Sequence, residues 1–199
     1  MGRSVFVAFL NGYAPGWADR VLERLAGSLP HPIRRLDLRF DLRPYYAPER
    51  RQHHATLLLA TLLRHLPEST GKIIGVTSED LFIPVLTFVF GQSQLDGPAA
   101  IVSTYRLHNE LYGLPADDEL LLARTVKEVA HELGHAFGLV HCHDPRCVMR
   151  ASTYVEEVDL KDAEFCAACS AAISSPRSPW AVGSAGGGAS SGTPGGGAP

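Results

Sequence analysis

VAHELGHAFGLVHCHDPRCVM, residues Val129–Met149, sets His131, His135, His141 and His143 beside Cys142 and Cys147, with Glu132 as its one glutamate. Val126, Val129, Ala130, Leu133, Ala136 and Phe137 recur at helical intervals, an apolar stripe wide enough to face a core. Asp117, Asp118 and Glu119 open that helix, because acids in a first turn satisfy free amides and suit the positive end of the dipole. Gly138 permits a left-handed residue and ends it. Two imidazoles four residues apart lie about 40° from each other around the axis, so His131 and His135 can reach one ion. Beyond the glycine the chain can swing His141 back as a third ligand. Three neutral histidines leave a tetrahedral zinc one open position, and zinc brings the pKa of water down to about 7. Glu132, between the first two histidines, is placed to take a proton from that water and pass it to a leaving amine. A lone histidine on a helix is usually structural, but H-E-x-x-H-x-x-G-x-x-H specifies five positions. Chance produces it about once in ten thousand sequences of this composition.

All four cysteines, Cys142, Cys147, Cys166 and Cys169, fall in one segment. The last two form C-x-x-C, a spacing that chelates one tetrahedral ion, and four thiolates make a closed structural site. The alternatives are two disulfides or inert buried thiols; a chain that opens without a signal sequence disfavours disulfides. His143 in place of one cysteine ranks below the four-thiolate set.

The 199 residues are 45% hydrophobic and 20% charged, with a net charge of −3, enough for one full core and no basic balance to attract nucleic acid or anionic lipid. Arg34-Arg35 and Arg50-Arg51 read as solvated surface charges. The apolar run Val5–Leu10 is short for a signal peptide and reads as a first strand, Phe6 stands where a myristoylation signal needs Ser or Thr, and no run approaches the roughly 20 apolar residues of a membrane span. A cytoplasmic monomer with no pro-segment is the expectation. Elsewhere, Ser4–Leu10, Ile33–Leu38, Lys72–Thr77, Phe88–Phe90 and Ala100–Leu107 read as strands, and Ala18–Leu29 and Ala55–Leu66 as helices. Their alternation predicts an α/β layer with a largely parallel sheet. Ala100–Leu107 is the candidate for an antiparallel edge that pairs with an extended peptide. Residues 1–174 form the predicted domain. Residues 175–199, rich in Gly, Ser, Ala and Pro with Trp180 as the one large apolar side chain, read as a disordered tail.

The run HELGHAFGLVHCHDPRCVM followed by CAAC resembles the archaemetzincins, zinc metallopeptidase-like proteins of the metzincin clan. YAPERRQH at Tyr46–His53, GVTSEDLFIP at Gly75–Pro84, FVFGQSQL at Phe88–Leu95 and VSTYRL at Val102–Leu107 resemble that family's blocks in the same order, so the likeness covers about Val5 to Ala172. It implies a compact domain with a twisted mixed five-stranded sheet, an active-site helix and a methionine turn. It also implies two zinc ions per chain: a catalytic one on His131, His135 and His141 with Glu132 as general base, and a structural one on Cys142, Cys147, Cys166 and Cys169. Met149 matches the turn methionine. Residues 150–165 separate Met149 from Cys166, one residue fewer than the family spacing, and Ala151 stands where some metzincins carry a tyrosine ligand. Two functional readings follow. One is a zinc-dependent peptidase acting on a peptide or protein substrate. The other is a non-catalytic zinc protein whose cleft binds a partner, with hydrolysis of a different amide as a weaker third. The intact Glu132 favours the first.

Overall fold

Strand Val5–Leu10 is buried at all six positions, and a strand with no exposed face has to be central. The computed structural model, which describes residues 4–67 and 71–174, shows why. In chain order the strands are β1 (Val5–Leu10), β2 (Ile33–Leu38), β3 (Tyr46–Ala47), β4 (Gln52–His54), β5 (Lys72–Thr77), β6 (Leu81–Phe82), β7 (Gly91–Ser93) and β8 (Ala99–Ser103). The helices are α1 (Ala18–Ser28), α2 (Ala55–Leu63), α3 (Asp118–Ala136), α4 (Val155–Leu160) and α5 (Ala167–Ser174). The main sheet has five strands in the order β2-β1-β5-β8-β7, parallel except for β7, which runs antiparallel to β8 at one edge. A small sheet, β3-β4-β6, lies apart from it.

Alternation along β1 divides the core. Val5, Val7 and Phe9 join α1 and α3 on one face, and Phe6, Ala8 and Leu10 join α2 on the other. The result is a mixed α/β architecture with helices on both faces of the sheet. Helix α3 runs nineteen residues from an Asp117 cap whose carboxylate accepts from the Leu120 N–H at 2.9 Å. Its sheet-facing residues Val126, Val129, Ala130 and Leu133 are buried. Arg124, buried and paired bidentately with Asp159 at 2.8 and 2.7 Å, ties α3 to α4.

Two strand expectations are corrected. Ala100–Leu107 is not an edge: β8 ends at Ser103, lies between β5 and β7 with every residue buried, and gives way to a 3₁₀ turn over Tyr105–Leu107. Thr104 is fully buried on Thr77 O and Tyr13 and faces no peptide. The edge is β7, immediately after the Phe88–Phe90 run. The two phenylalanines pack edge to face instead of forming a ladder, with the Arg106 guanidinium over Phe88 at 4.2 Å. The strand G-Q-S has little β propensity of its own and exists because β8 offers it a partner. Arg50, half-buried at the surface, does more than carry a solvated charge. It stacks on Phe82 and donates to Leu86 O and Thr87 O at 2.7 and 3.0 Å, fixing the loop between β6 and β7. Residues 175–199 lie outside the described residues. Among the described residues no helix is long and apolar enough to cross a membrane.

Candidate metal centres

The C-terminal turn of α3 carries the first site. Gly138 takes φ +91°. Its N–H reaches His135 O and the Leu139 N–H reaches Gly134 O, both at 2.9 Å, the paired bonds of a left-handed helix stop. The chain then reverses and brings His141 to His131 and His135, with ring centroids 4.7–5.3 Å apart. One ligand nitrogen from each lies within 4.8 Å of the others.

Hydrogen bonding fixes the form of the first two rings. His131 Nδ1 is 2.8 Å from Val148 O, and His135 Nδ1 is 2.8 Å from Leu139 O. A carbonyl oxygen only accepts, so each Nδ1 carries the hydrogen and each neutral ring leaves a lone pair on Nε2. Burial keeps them neutral, drawing His131 down to about 4 and His135 below its ordinary value. The two Nε2 atoms stand 3.1 Å apart. With no hydrogen between them this is an approach of two lone pairs, unfavourable until a cation joins them. Tetrahedral zinc with Zn–N bonds near 2.0–2.1 Å requires about 3.3 Å. The donor set fits zinc.

Cys142, Cys147, Cys166 and Cys169 converge likewise, their sulfurs within 4.8 Å of one another, and all four are free thiols. Cys142 Sγ and Cys166 Sγ lie 3.9 Å apart, against about 3.8 Å for two thiolates on tetrahedral zinc. A main-chain N–H of Cys169 holds the Cys166 thiol below its usual range, whereas burial pushes Cys147 up. His143 is exposed and outside the cluster.

Three consecutive residues join the two sites. Cys147 supplies a sulfur, Val148 O orients His131, and Met149, fully buried, packs beneath α3. Gly134 makes that packing possible, since a Cβ there would sit 2.2 Å from Met149 Sδ. Cys142 N–H in turn donates to Met149 O at 2.9 Å. Lys161 Nζ, almost wholly buried, lies 2.9 Å from Glu128 Oε1 and binds this segment to α3 one turn before His131. Tyr154 is exposed and stands at the N-terminus of α4, apart from the cleft lining.

Above the histidines a cleft of about 440 Å³ runs between α3 and the edge strand, walled by Leu86, Phe88, Gly91, Ser93 and Glu132 among others. Burial pushes the Glu132 carboxyl up to about 8, partly opposed by the hydroxyl of Ser93. The zinc motif marks Glu132 but not its two neighbours on β7. Their signal is the period-two spacing of G-Q-S, which puts Gly91 and Ser93 on the α3 side while Gln92 bonds Thr56 at the start of α2. A Cβ on Gly91 would meet Glu132 Cγ at 2.6 Å. The obstructed atoms belong to a side chain that can swing, so Gly91→Ala should displace the carboxylate instead of breaking the fold. We expect turnover to fall by at least about tenfold and the melting temperature to change by no more than a few degrees. An unaltered turnover in a steady-state assay would show that Glu132 does not need its seat against β7.

The pattern of peptidase family M54 matches residues 45–175. The chain is 48% identical over 124 residues to the archaemetzincin of Methanopyrus kandleri, covering 62% of this chain and 67% of that one. It is 41% identical over 166 residues to the archaemetzincin of Pyrococcus abyssi, covering 82% and 84%. Its fold superposes on the crystal structure of a zinc-dependent peptidase from Methanocorpusculum labreanum with a TM-score of 0.78 at 34% identity, over 85% of this chain and all of that one. The matched span runs from the small sheet through both ligand clusters, and on that ground the chain belongs to peptidase family M54, with the archaemetzincins.

Proposed function

We propose that this zinc metallopeptidase hydrolyses peptide bonds at the three-histidine site, with His131, His135 and His141 as ligands and Glu132 as general base. A second zinc on the four cysteines serves structure alone. The observation that carries the reading is the convergence of three imidazoles below a cleft into which the buried carboxylate of Glu132 also faces. When bound, zinc supplies Lewis acidity, polarising a carbonyl oxygen and making water a proton donor near neutral pH. Glu132 receives the proton and returns it to the departing amine. Among the described residues the outer edge of β7 has no strand neighbour in the sheet, and it offers its main chain to an extended peptide. This replaces the Ala100–Leu107 edge of the sequence reading.

Digestion of an unbiased peptide library by the zinc-loaded protein, read by mass spectrometry beside Glu132→Ala, tests the proposal. Cleavage by the parent alone establishes the activity and its side-chain preference together. Cleavage that survives Glu132→Ala would remove Glu132 from the mechanism. Failure to cleave in both, with zinc bound, would favour a cleft that binds peptide without turnover.

A further inference from the structure

Glu132 does not hang free in the cleft. Its Cγ and Oε1 lie against Gly91, where no side chain intervenes, and its Oε2 is 2.6 Å from Ser93 Oγ. The same hydroxyl oxygen lies 2.7 Å from the main-chain O of Glu132. A hydroxyl has one hydrogen and two lone pairs, so Ser93 cannot donate to both oxygens at once. With its hydrogen on Oε2 it holds a proton-free carboxylate. Turned toward the main-chain O, it keeps that bond and presents a lone pair to Oε2, which can then be the donor. Neither arrangement moves a heavy atom.

We propose that Ser93 is the positioning residue of the general base, holding the Glu132 carboxylate against the edge strand both before and after it receives the substrate water's proton. The inference rests on Glu132 being the base and extends that reading to a residue of a different element. It has a structural corollary. The strand that offers its main chain to a peptide is also the strand that aims the base, so both are set by the register of β7 on β8, in which Ser93 stands opposite Ala100. A base on a long side chain loses rate steeply when misplaced, by as much as about a hundredfold for 1 Å.

Threonine and valine at position 93 separate the hydroxyl from the shape. Both are β-branched, nearly equal in volume and suited to a strand, so neither gains from folding alone. Ser93→Thr should keep kcat within about threefold of the parent, while Ser93→Val should lose at least about tenfold in kcat. KM and zinc content, measured by metal analysis, should be the same in the two. Equal kcat for the pair, or a difference confined to KM or to zinc content, overturns the proposal. Glu132→Ala assayed alongside keeps the two readings apart. If it is inactive while the pair is equal, Ser93 is wrong and the base stands; if it remains active, the base itself is wrong. Crystal structures of the pair give a readout independent of turnover. Glu132 should stay on residue 93 in the threonine form and swing away in the valine form; a carboxylate in the same place in both overturns the role of the hydroxyl.

Discussion

Glu132→Gln should abolish peptide turnover by about three orders of magnitude, in the range expected for loss of a general base, and should at the same time stabilise the zinc-stripped protein at pH 8. The two effects share one cause. Burial raises the Glu132 carboxyl from an ordinary value of 4.5 to about 8 in the folded chain. A carboxyl raised by folding contributes stability that is fully present below its unfolded pKa and is lost as pH rises through the folded one. Between pH 4.5 and 8 the unfolded state ionises while the folded state resists it, so the folded protein grows less stable relative to the unfolded one. Glutamine keeps the size and removes the charge. At about 1.4 kcal/mol for each pH unit between the two values, the gain should be near zero at pH 4.5 and about 4 kcal/mol at pH 8. Thermal unfolding of parent and variant after chelation, at both pH values, reads it directly. A difference that does not grow with pH would mean that the carboxylate is solvated in the folded protein. Such a site illustrates how function holds a fold below its stability optimum: the base is useful because its surroundings do not suit its charge.

The chemistry of this protein was more legible than its geometry, for physical reasons. The ligand spacing of α3 follows from helix pitch alone, so His131 and His135 could be paired from their separation of four. Gly138 could be assigned as the stop because few other residues take φ near +90°. The central strand announced itself through an apolar run buried on both faces. What escaped the sequence depends on which element neighbours which. Phe88–Phe90 has the composition of a strand, yet its aromatic rings satisfy one another and Arg106. The true edge, Gly91–Ser93, has none of that composition and is made a strand by β8. A register of pairing cannot be read from three residues, so the period-two spacing of G-Q-S could put Gly91 and Ser93 on one face without showing that Glu132 lies against it. Gly134 fills an unspecified position of H-E-x-x-H, and nothing local marks the Met149 sulfur packed against it. The buried Glu128–Lys161 pair joins residues that are 33 positions apart and leave no local pattern.

Replacing Cys166 and Cys169 by serine should release the structural metal and weaken zinc binding at the histidines by about ten- to a hundredfold, the range seen when the groups that orient metal ligands are lost. The path is a single stretch of chain. Cys147 is fixed by its place among the four sulfurs; the next residue supplies the carbonyl that orients His131, and the one after it is the methionine under Gly134. Val148 N–H is itself anchored on Glu164 O at 2.9 Å, two residues before Cys166. The two thiols that remain, Cys142 and Cys147, cannot hold the ion alone, and burial already disfavours the charged form of Cys147. The turn then loses the constraint that aims Val148 O. With His131 no longer held in the Nδ1–H tautomer, its Nε2 lone pair is presented to the metal only part of the time. The main core should survive: the packing of α2 on the sheet contains no cysteine, and in the core under α1 and α3 the buried Cys147 is kept, while Cys166 and Cys169 are only partly buried against it. Metal analysis together with competition by a graded series of chelators measures both sites. The parent should give two classes of zinc, and the double variant one class of lower affinity. If the histidine site binds zinc as tightly in the double variant as in the parent, the two centres are neighbours in sequence without being coupled, and the contact of Met149 with Gly134 and the main-chain bonds to Cys142 and Glu164 hold the methionine turn without the metal.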